Sequence, residues 1–432
     1  MGSIRYFQSF ILKGATPPGT TWWKDSARDD IKKYRIFERT DACMIDFGMT
    51  AQDFRERLLE QRPHLLKGAL VESAFSWSDL NTLLFLIEPT ESLFKLFSDG
   101  LVPAENFSKE VVELGLQRRR LDKERFYRYI ANGATLVLDR LELSSPVARR
   151  YSDEISRFTG QTTNGGNGYL TFAGRAGRGT FGKHWDVHDV FAMQFIGRKR
   201  WQIYPPTFPL PLIHHTYSVI GDRSPATPAI DCVLEAGDML YIPRGWWHNV
   251  IPLEEASFHL SVGVFAPTVI DYVMWSCNRY LQSQPAARKG LNAGTTNRED
   301  IVKTMQLASA AVLNPAHLAE FMKAVEERLH QPAVEVDLGL FADPRGEQLS
   351  GSETVRLNAR CKLDASRAEV ALDGVRLKPD QLGWLLLKAL STSGPLTLAA
   401  LCQRAAPHAG DAIRSAAVDL AKRDVVSIGT RH

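Results

Sequence analysis

Two short stretches of this chain constrain the fold more than anything else in it. The first, K-H-W-D-V-H-D-V-F-A-M-Q-F-I-G-R-K-R-W-Q-I-Y, runs from Lys183 to Tyr204. It opens with His184 and Asp186, two side chains able to bind a metal and separated by one residue. In extended backbone, residues i and i+2 share a face, so this imidazole and carboxylate converge while Trp185 points away. The second stretch, E-A-G-D-M-L-Y-I-P-R-G-W-W-H-N-V, runs from Glu235 to Val250 and supplies His248 after a short apolar strand and a turn at Pro243 to Gly245. For His248 to join the first pair, a late strand must return beside an early one, as happens in a double-stranded β-helix, the jelly-roll sandwich. An isolated H-x-D is a weak signal, equally consistent with a hydrogen-bonded His/Asp pair at a strand end. The G-D strand, I-P-x-G turn and histidine downstream favour the metal reading.

Two histidines and one carboxylate that leave coordination positions open are the donor set of non-haem Fe(II) oxygenases. No cysteine lies in either stretch, so a soft thiolate site is excluded there. His184, Asp186 and His248 are accordingly expected to hold Fe(II), and they are the expected catalytic centre.

The remaining sequence fits around this core. At 432 residues the chain is long enough for two or three domains. A net charge of +3 is too slight to imply general affinity for nucleic acid or membrane surfaces. The five cysteines, Cys43, Cys232, Cys277, Cys361 and Cys402, are odd in number and form no C-x-x-C, which favours reduced thiols in a cytoplasmic setting. No signal-peptide pattern and no apolar run of about 18 residues is present, so no membrane span is expected.

Residues 1–130 are expected to be mainly helical. Thr50 and Asp53 fit a helix N-cap with an acidic third residue, and Phe75–Leu86 and Lys109–Ile130 show helical apolar spacing. The latter carries Arg118, Arg119 and Arg120, read as a solvated face in preference to a patch for an acidic partner. Residues 131–266 are expected to form the sandwich. It begins with the buried strand T-L-V-L at Thr135–Leu138 and includes strands at Tyr169–Phe172, Val190–Phe195, Arg200–Tyr204 and Phe258–Phe265, the last as its closing strand. The glycine-rich G-R-A-G-R-G-T-F-G precedes a ligand strand and not a helix, so it lacks the context of a phosphate loop. It reads as a rim that brings Arg175 and Arg178 to a substrate. Pro205–Pro228 reads as an irregular insertion whose His214 and His215 are surface residues.

In residues 267–345, helices at Val269–Leu281, Glu299–Leu313 and Pro315–Leu329 must cover their apolar faces, and a homodimer would do so. Residues 346–432 combine short strands with three helices, the pattern of a winged-helix-like domain. Its third helix has three basic residues against two acidic ones, too few for a groove-reading helix, so a protein-interaction or substrate-docking role is favoured over nucleic acid. The expected fold class is thus α+β: a double-stranded β-helix core with N-terminal helices, a helical dimerisation-type region and a C-terminal winged-helix-like domain.

An Fe(II) oxygenase that uses an oxo acid also needs a cation for the distal carboxylate. Lys199 is the candidate, because strand alternation places it opposite Arg198 and Arg200. Three basic residues at a surface turn would look the same in sequence. Asn167 and Tyr169, on the strand before the loop, could add an amide and a hydroxyl.

At this point the residues resemble a known family, the JmjC-type 2-oxoglutarate oxygenases, specifically the ribosomal oxygenases and their bacterial homologues. The resemblance runs through E-Q-R-P-H-L-L-K-G (Glu60–Gly68), G-A-T-L-V-L (Gly133–Leu138), N-G-Y-L-T (Asn167–Thr171), H-W-D-V-H-D-V-F, G-R-K-R-W and G-D-M-L-Y-I-P-R-G-W-W-H. It implies that Lys199 binds the oxo-acid carboxylate, that Asn167, Tyr169 and Thr171 help to bind the co-substrate, and that Fe(II), 2-oxoglutarate and O2 are used to hydroxylate a C–H bond. It also implies a protein or peptide substrate, with an arginine or histidine of a ribosomal protein as the leading case; another peptide or a small metabolite stays open. Two readings from other classes compete: a non-redox metal-binding cupin, which would not need Lys199, and a nucleic-acid-binding regulator working through the C-terminal unit.

Overall fold

The computed structural model describes residues 44–71, 75–89, 93–161, 163–172, 181–216, 221, 223–291, 298–329, 338–358, 361–372 and 375–429. Arg175, Arg178 and Cys43 lie outside them. Residues 41–432 form one compact unit.

The core is a sandwich of two antiparallel sheets. The larger contains β1 (His64–Leu66), β2 (Phe94–Phe97), β3 (Leu101–Val102), β6 (Thr135–Leu138), β7 (Thr163–Thr171), β8 (Asp189–Ile196), β11 (Met239–Ile242) and β13 (Ser257–Val264), in the order β1-β11-β8-β13-β7-β6-β2-β3. The smaller contains β9 (Lys199–Tyr204), β10 (Ile230–Leu234) and β12 (Trp247–Pro252), in the order β10-β9-β12. Strand β13 therefore lies in the middle of the large sheet, between β7 and β8, and does not close its edge.

The apolar runs of β8 and β11 follow from burial on both faces. Phe191, Met193 and Phe195 of β8, with Met239 and Tyr241 of β11, join the main core. Val190, Ala192, Leu240 and Ile242 point the other way and pack with Trp201, Ile203 and Leu234 of the smaller sheet. Helices close the main core from outside: α1 (Ala51–Arg57), α2 (Trp77–Leu86), α3 (Lys123–Ala131) and α4 (Pro146–Thr159) contribute Phe54, Leu80, Leu83, Phe126, Tyr151 and Ile155. Thr50 caps α1 by accepting from the Asp53 backbone N–H, as expected, and Ser76 and Asp79 form a capping box on α2.

Strands β8 and β9 are consecutive but belong to different sheets, so the chain crosses the sandwich at Ile196–Arg198. Gly197 adopts a φ of 62° there, and a Cβ at this position would lie 2.2 Å from the Ala256 carbonyl oxygen. Only glycine fits this crossing.

The N-terminal region differs from expectation. Lys109–Ile130 is not a single helix but the hairpin β4 (Ser108–Glu113) and β5 (Leu116–Leu121), followed by α3. Leu114 and Gly115 turn the hairpin with φ of 50° and 78°, a left-handed pair that a two-residue hairpin loop requires. Across the pair, Glu110 faces Arg119, and Asp122 then caps α3. With five strands and three short helices, the described part of residues 1–130 is mixed and not mainly helical.

Beyond the sandwich, helices at Val269–Tyr280, Arg298–Val312 and Pro315–Leu329 stand where helical spacing placed them. The last part packs helices Gln381–Ser393, Leu398–Ala405 and Gly410–Ala421 on a three-stranded sheet in which Thr354–Leu357 lies between Leu396–Thr397 and Val426–Gly429. Val355, Leu386, Leu390, Leu398, Ile413 and Val426 form its separate core.

Candidate metal centre and its cavity

Backbone pairing brings the three expected ligands together. His184 and His248 form an isolated antiparallel bridge, each N–H donating to the other's carbonyl at 3.1 and 2.8 Å. Two residues on, the Gly245 N–H donates to the Asp186 carbonyl at 3.0 Å. Gly245 has a φ of 83°, and a Cβ there would lie 2.8 Å from the Phe208 carbonyl oxygen, so the turn before His248 also needs glycine. A buried carboxylate fastens the two segments from behind: Asp189 accepts from the Arg244 N–H at 2.9 Å and the Tyr241 hydroxyl at 2.6 Å. Burial lifts Asp189 to about 6. Trp185 turns away from the ligands, as alternation requires, into a small cluster with Tyr204 and Trp247.

Each histidine is oriented by its own neighbour. His184 Nδ1 lies 3.1 Å from the Gly182 carbonyl oxygen, and His248 Nδ1 lies 3.2 Å from that of Trp246. A carbonyl can only accept, so both Nδ1 atoms carry a proton and Nε2 is the ring atom left to face a metal. His248 Nε2 is 3.5 Å from Asp186 Oδ2, and one donor atom from each of the three side chains lies within 4.8 Å of the others. Burial, followed by the nearby His184, pushes His248 down to about 4, which keeps it neutral and able to donate its lone pair. Burial works to raise Asp186, but the charges of His248, His188 and His184 outweigh it and hold the carboxyl below its usual range. Two imidazoles oriented by backbone carbonyls and an ionised carboxylate suit a divalent cation such as Fe(II).

The three donors open on a cavity of about 310 Å³. The other residues expected to serve it, Lys199, Asn167, Tyr169 and Thr171, line the same space. Strand parity explains why: along β7, Leu170 enters the main core while Asn167, Tyr169 and Thr171 face inward. Asn167 Oδ1 also accepts from the Arg140 N–H at 3.2 Å, and the Thr171 hydroxyl meets that of Ser257 at 2.7 Å. Burial raises the Tyr169 phenol, with the Asp186 charge adding to it.

Lys199 is the most unusual of these groups. It is 1% exposed, whereas Arg198 and Arg200 on either side reach solvent and pair with Glu255 and Asp231 at 3.0 and 2.6 Å. Its Nζ donates to the Tyr169 carbonyl at 3.3 Å and lies 2.8 Å from His259 Nδ1. Among the described residues no carboxylate is within salt-bridge distance of it, and burial pushes it down to about 7.

Sequence reasoning did not single out His259 or His188. Both line the cavity, His259 from β13 and His188 just before β8, where its ring stacks on Phe265 at 4.5 Å. The signal for His259 was available in S-F-H-L-S-V-G-V: its apolar residues alternate into the core, so His259, Ser261 and Gly263 must face the other way.

Comparison with known proteins agrees with this geometry. Residues 142–272, which contain His184, Asp186, His248, Lys199 and His259, match the JmjC domain model. The chain is 29% identical over 231 residues to ribosomal oxygenase 2 of Rattus norvegicus, covering 50% of this chain and 45% of that protein. It is 40% identical over 103 residues to the bifunctional lysine-specific demethylase and histidyl-hydroxylase NO66 of Drosophila yakuba, covering 23% and 15%. The chain thus spans less than half the length of these curated relatives. The crystal structure of Escherichia coli ribosomal oxygenase YcfD superposes with a TM-score of 0.51 at 17% identity, over 89% of this chain and all of that one, and so shares its fold. Residues 142–272 thus match a JmjC domain, and over half of its length the chain is similar to a ribosomal oxygenase.

Proposed function

We propose that this chain is an Fe(II)- and 2-oxoglutarate-dependent oxygenase that hydroxylates an arginine or histidine side chain of a protein or peptide, with ribosomal proteins as the first substrates to try. The observation that carries this reading is the pairing, in one cavity, of the His184–Asp186–His248 donor set with a buried lysine that has no carboxylate partner. A buried ammonium without a counter-charge is costly, so its retention is best explained by an anion that arrives with the ligand. A non-redox cupin has no use for it. Trp201, which lines the same cavity, also buries an indole N–H that has no partner among the described residues.

His184, Asp186 and His248 would hold the iron. When bound, it supplies the activation of O2 that couples oxidative decarboxylation of 2-oxoglutarate, to succinate and CO2, with insertion of one oxygen atom into the substrate C–H bond. The protein's share is placement. Lys199 takes the distal carboxylate of the co-substrate, Tyr169, Thr171 and Asn167 contribute hydrogen-bonding groups to the same space, and Val190 of β8 and Trp201 of β9 add apolar wall beside them.

The wider organisation is part of the same proposal: a mixed region before the JmjC/cupin core at 131–266, a helical dimerisation region at 267–345 and a winged-helix-like domain at 346–432 that docks protein. Exposed Val269, Ile270, Met274, Met305 and Met322 on the helices support homodimerisation, since apolar area of this kind is buried in stable oligomers. No helix among the described residues is long and apolar enough to cross a membrane, and we place the protein in the cytoplasm.

Anaerobic titration of the Fe(II)-loaded protein with 2-oxoglutarate tests the reading. A visible charge-transfer band should develop as the oxo acid binds at the iron. Bound iron that gives no such band would remove the oxygenase assignment.

A further inference from the structure

Strand β13 places His259 directly opposite Tyr169 in the β7 register, and the two rings stack at 4.8 Å and 7°. His259 is 4% exposed, Lys199 is 1% exposed, and their nitrogens are 2.8 Å apart. Two bases this close and this dry cannot both be protonated, because like charges in a low-dielectric site exclude each other. The other elements packed around them bring no counter-charge. Gln194 of β8 stands across from His259, Leu234 of β10 and Pro252 of β12 flank Lys199, and β7 adds only the Tyr169 phenol. Asp186 is the one carboxylate among the described residues that line the cavity, and it sits with the histidines of the metal centre.

We propose that Lys199 and His259 have room for one proton between them, and that a carboxylate entering this end of the cavity binds the singly protonated pair, drawing that proton from solvent wherever the ligand-free pair lacks it. His259 is then a positioning residue: its neutral Nδ1 accepts from the Lys199 ammonium and aims it. The Tyr169 carbonyl takes a second N–H, which leaves the third for the ligand. The proton comes from the buffer and ends on Nζ; no other bond changes. Where the carboxylate is that of 2-oxoglutarate, the inference rests on the oxygenase reading above.

The direction follows from burial. Without ligand, Lys199 is pushed down to about 7, and His259 is driven well below its ordinary value by burial and then by the Lys199 charge. A bound carboxylate favours the ammonium and raises Lys199 again. Uptake on binding should therefore be roughly 0.1 proton at pH 6 and roughly 0.9 at pH 8, with affinity weakening toward about tenfold per pH unit above 7.

The experiment is calorimetric titration of the Mn(II)-loaded protein with 2-oxoglutarate at pH 6, 7 and 8, each in two buffers of different ionisation enthalpy. Buffer-dependent heat that grows with pH is the expected result. His259→Leu keeps the bulk but removes the acceptor, and should bind about tenfold more weakly with its uptake curve moved to lower pH. His259→Asn restores an acceptor on the same carbon and should recover to within about threefold. Mn(II) affinity should not change in either, which checks that the site is intact. Should the leucine variant fail to fold, the wild-type pH series decides alone. Binding without buffer-dependent heat at pH 8, or equal binding by the leucine and asparagine variants, would overturn the proposal. Absence of any 2-oxoglutarate binding by wild type would overturn the oxygenase reading and this inference with it.

Discussion

Two runs of three basic residues invite comparison: Arg118-Arg119-Arg120 on β5 and Arg198-Lys199-Arg200 where the chain crosses from β8 to β9. In the first, each arginine meets a glutamate, Glu88, Glu110 and Glu113, at 2.9, 2.9 and 2.6 Å. In the second, the outer arginines do likewise with Glu255 and Asp231. Lys199 alone turns inward and meets a ring nitrogen and a carbonyl. Composition is nearly the same in both runs. Strand parity separates a solvated charge from one that waits for a ligand, because successive side chains must leave opposite faces of a strand.

If that contrast is correct, removing an inward charge should abolish a chemical property, while removing an outward one should leave it unchanged. The largest effect is expected at Asp186. Asp186→Ala deletes the single ionised ligand and should cost at least about 100-fold in Fe(II) or Mn(II) affinity, with turnover lost. Because the backbone bonds of 184–186 to 245–248 do not involve the carboxylate, circular dichroism and the melting profile should show a retained fold. Full metal occupancy in this variant would move the centre away from the 184–186–248 cluster.

Lys199→Met is next. It preserves length and apolar bulk, and should weaken 2-oxoglutarate by about 100-fold, the loss of a charge-assisted contact of ~2–3 kcal/mol, without changing metal affinity. The ligand-free protein should become more stable. Here the sign is definite. A lysine held at about 7 when folded, against 10.5 when unfolded, leaves the folded state binding fewer protons across that interval. Wild-type stability therefore falls as pH drops from about 10 to 7, while that of the methionine variant does not, so the gap between them should be widest at and below neutral pH. Denaturant melts at pH 7 and 10 measure it. A variant less stable than wild type at both values would mean that the bonds of Lys199 to His259 and the Tyr169 carbonyl outweigh the cost of burying it.

Strand parity also governs what could be read in the sequence. His184 and Asp186 were legible because i and i+2 share a face in any extended segment, bridge or strand. His248 was legible because the G-D strand and I-P-R-G turn fix where the next residue points. Lys199 was legible only in part: alternation put it opposite its neighbours, but nothing local says which face is the interior. His259 was missed because a single histidine in an apolar strand carries no spacing partner; its role depends on β7 and β9, some 90 and 60 residues earlier. The β4–β5 hairpin was mistaken for helix for the opposite reason. Both of its faces are largely solvated, so neither a period of two nor one of 3.6 is imposed by burial. The turn at Leu114-Gly115 was the one available cue.

The hairpin also gives the smallest and most discriminating test. Replacing Arg118, Arg119 and Arg120 together by Gln removes three surface ion pairs, of a kind that contributes little in water, while a glutamine at the half-buried position 119 keeps a donor for the Ser108 hydroxyl that Arg119 also meets. Metal and 2-oxoglutarate affinities should equal those of wild type. Any lowering of the melting midpoint should be small, and should disappear at about 1 M salt, where the Debye length shrinks to about 3 Å and exposed pairs are screened. Turnover on a protein substrate is the decisive readout. If it too is unchanged, the triplet is a solvated face, and only the inward lysine of the two runs has a chemical role. If metal and oxo acid bind normally but turnover on the protein falls, and more so at low salt, the triplet is a docking patch for an acidic surface. Parity would then still identify which charges serve the cavity, but outward charges would have to be judged by what docks on them.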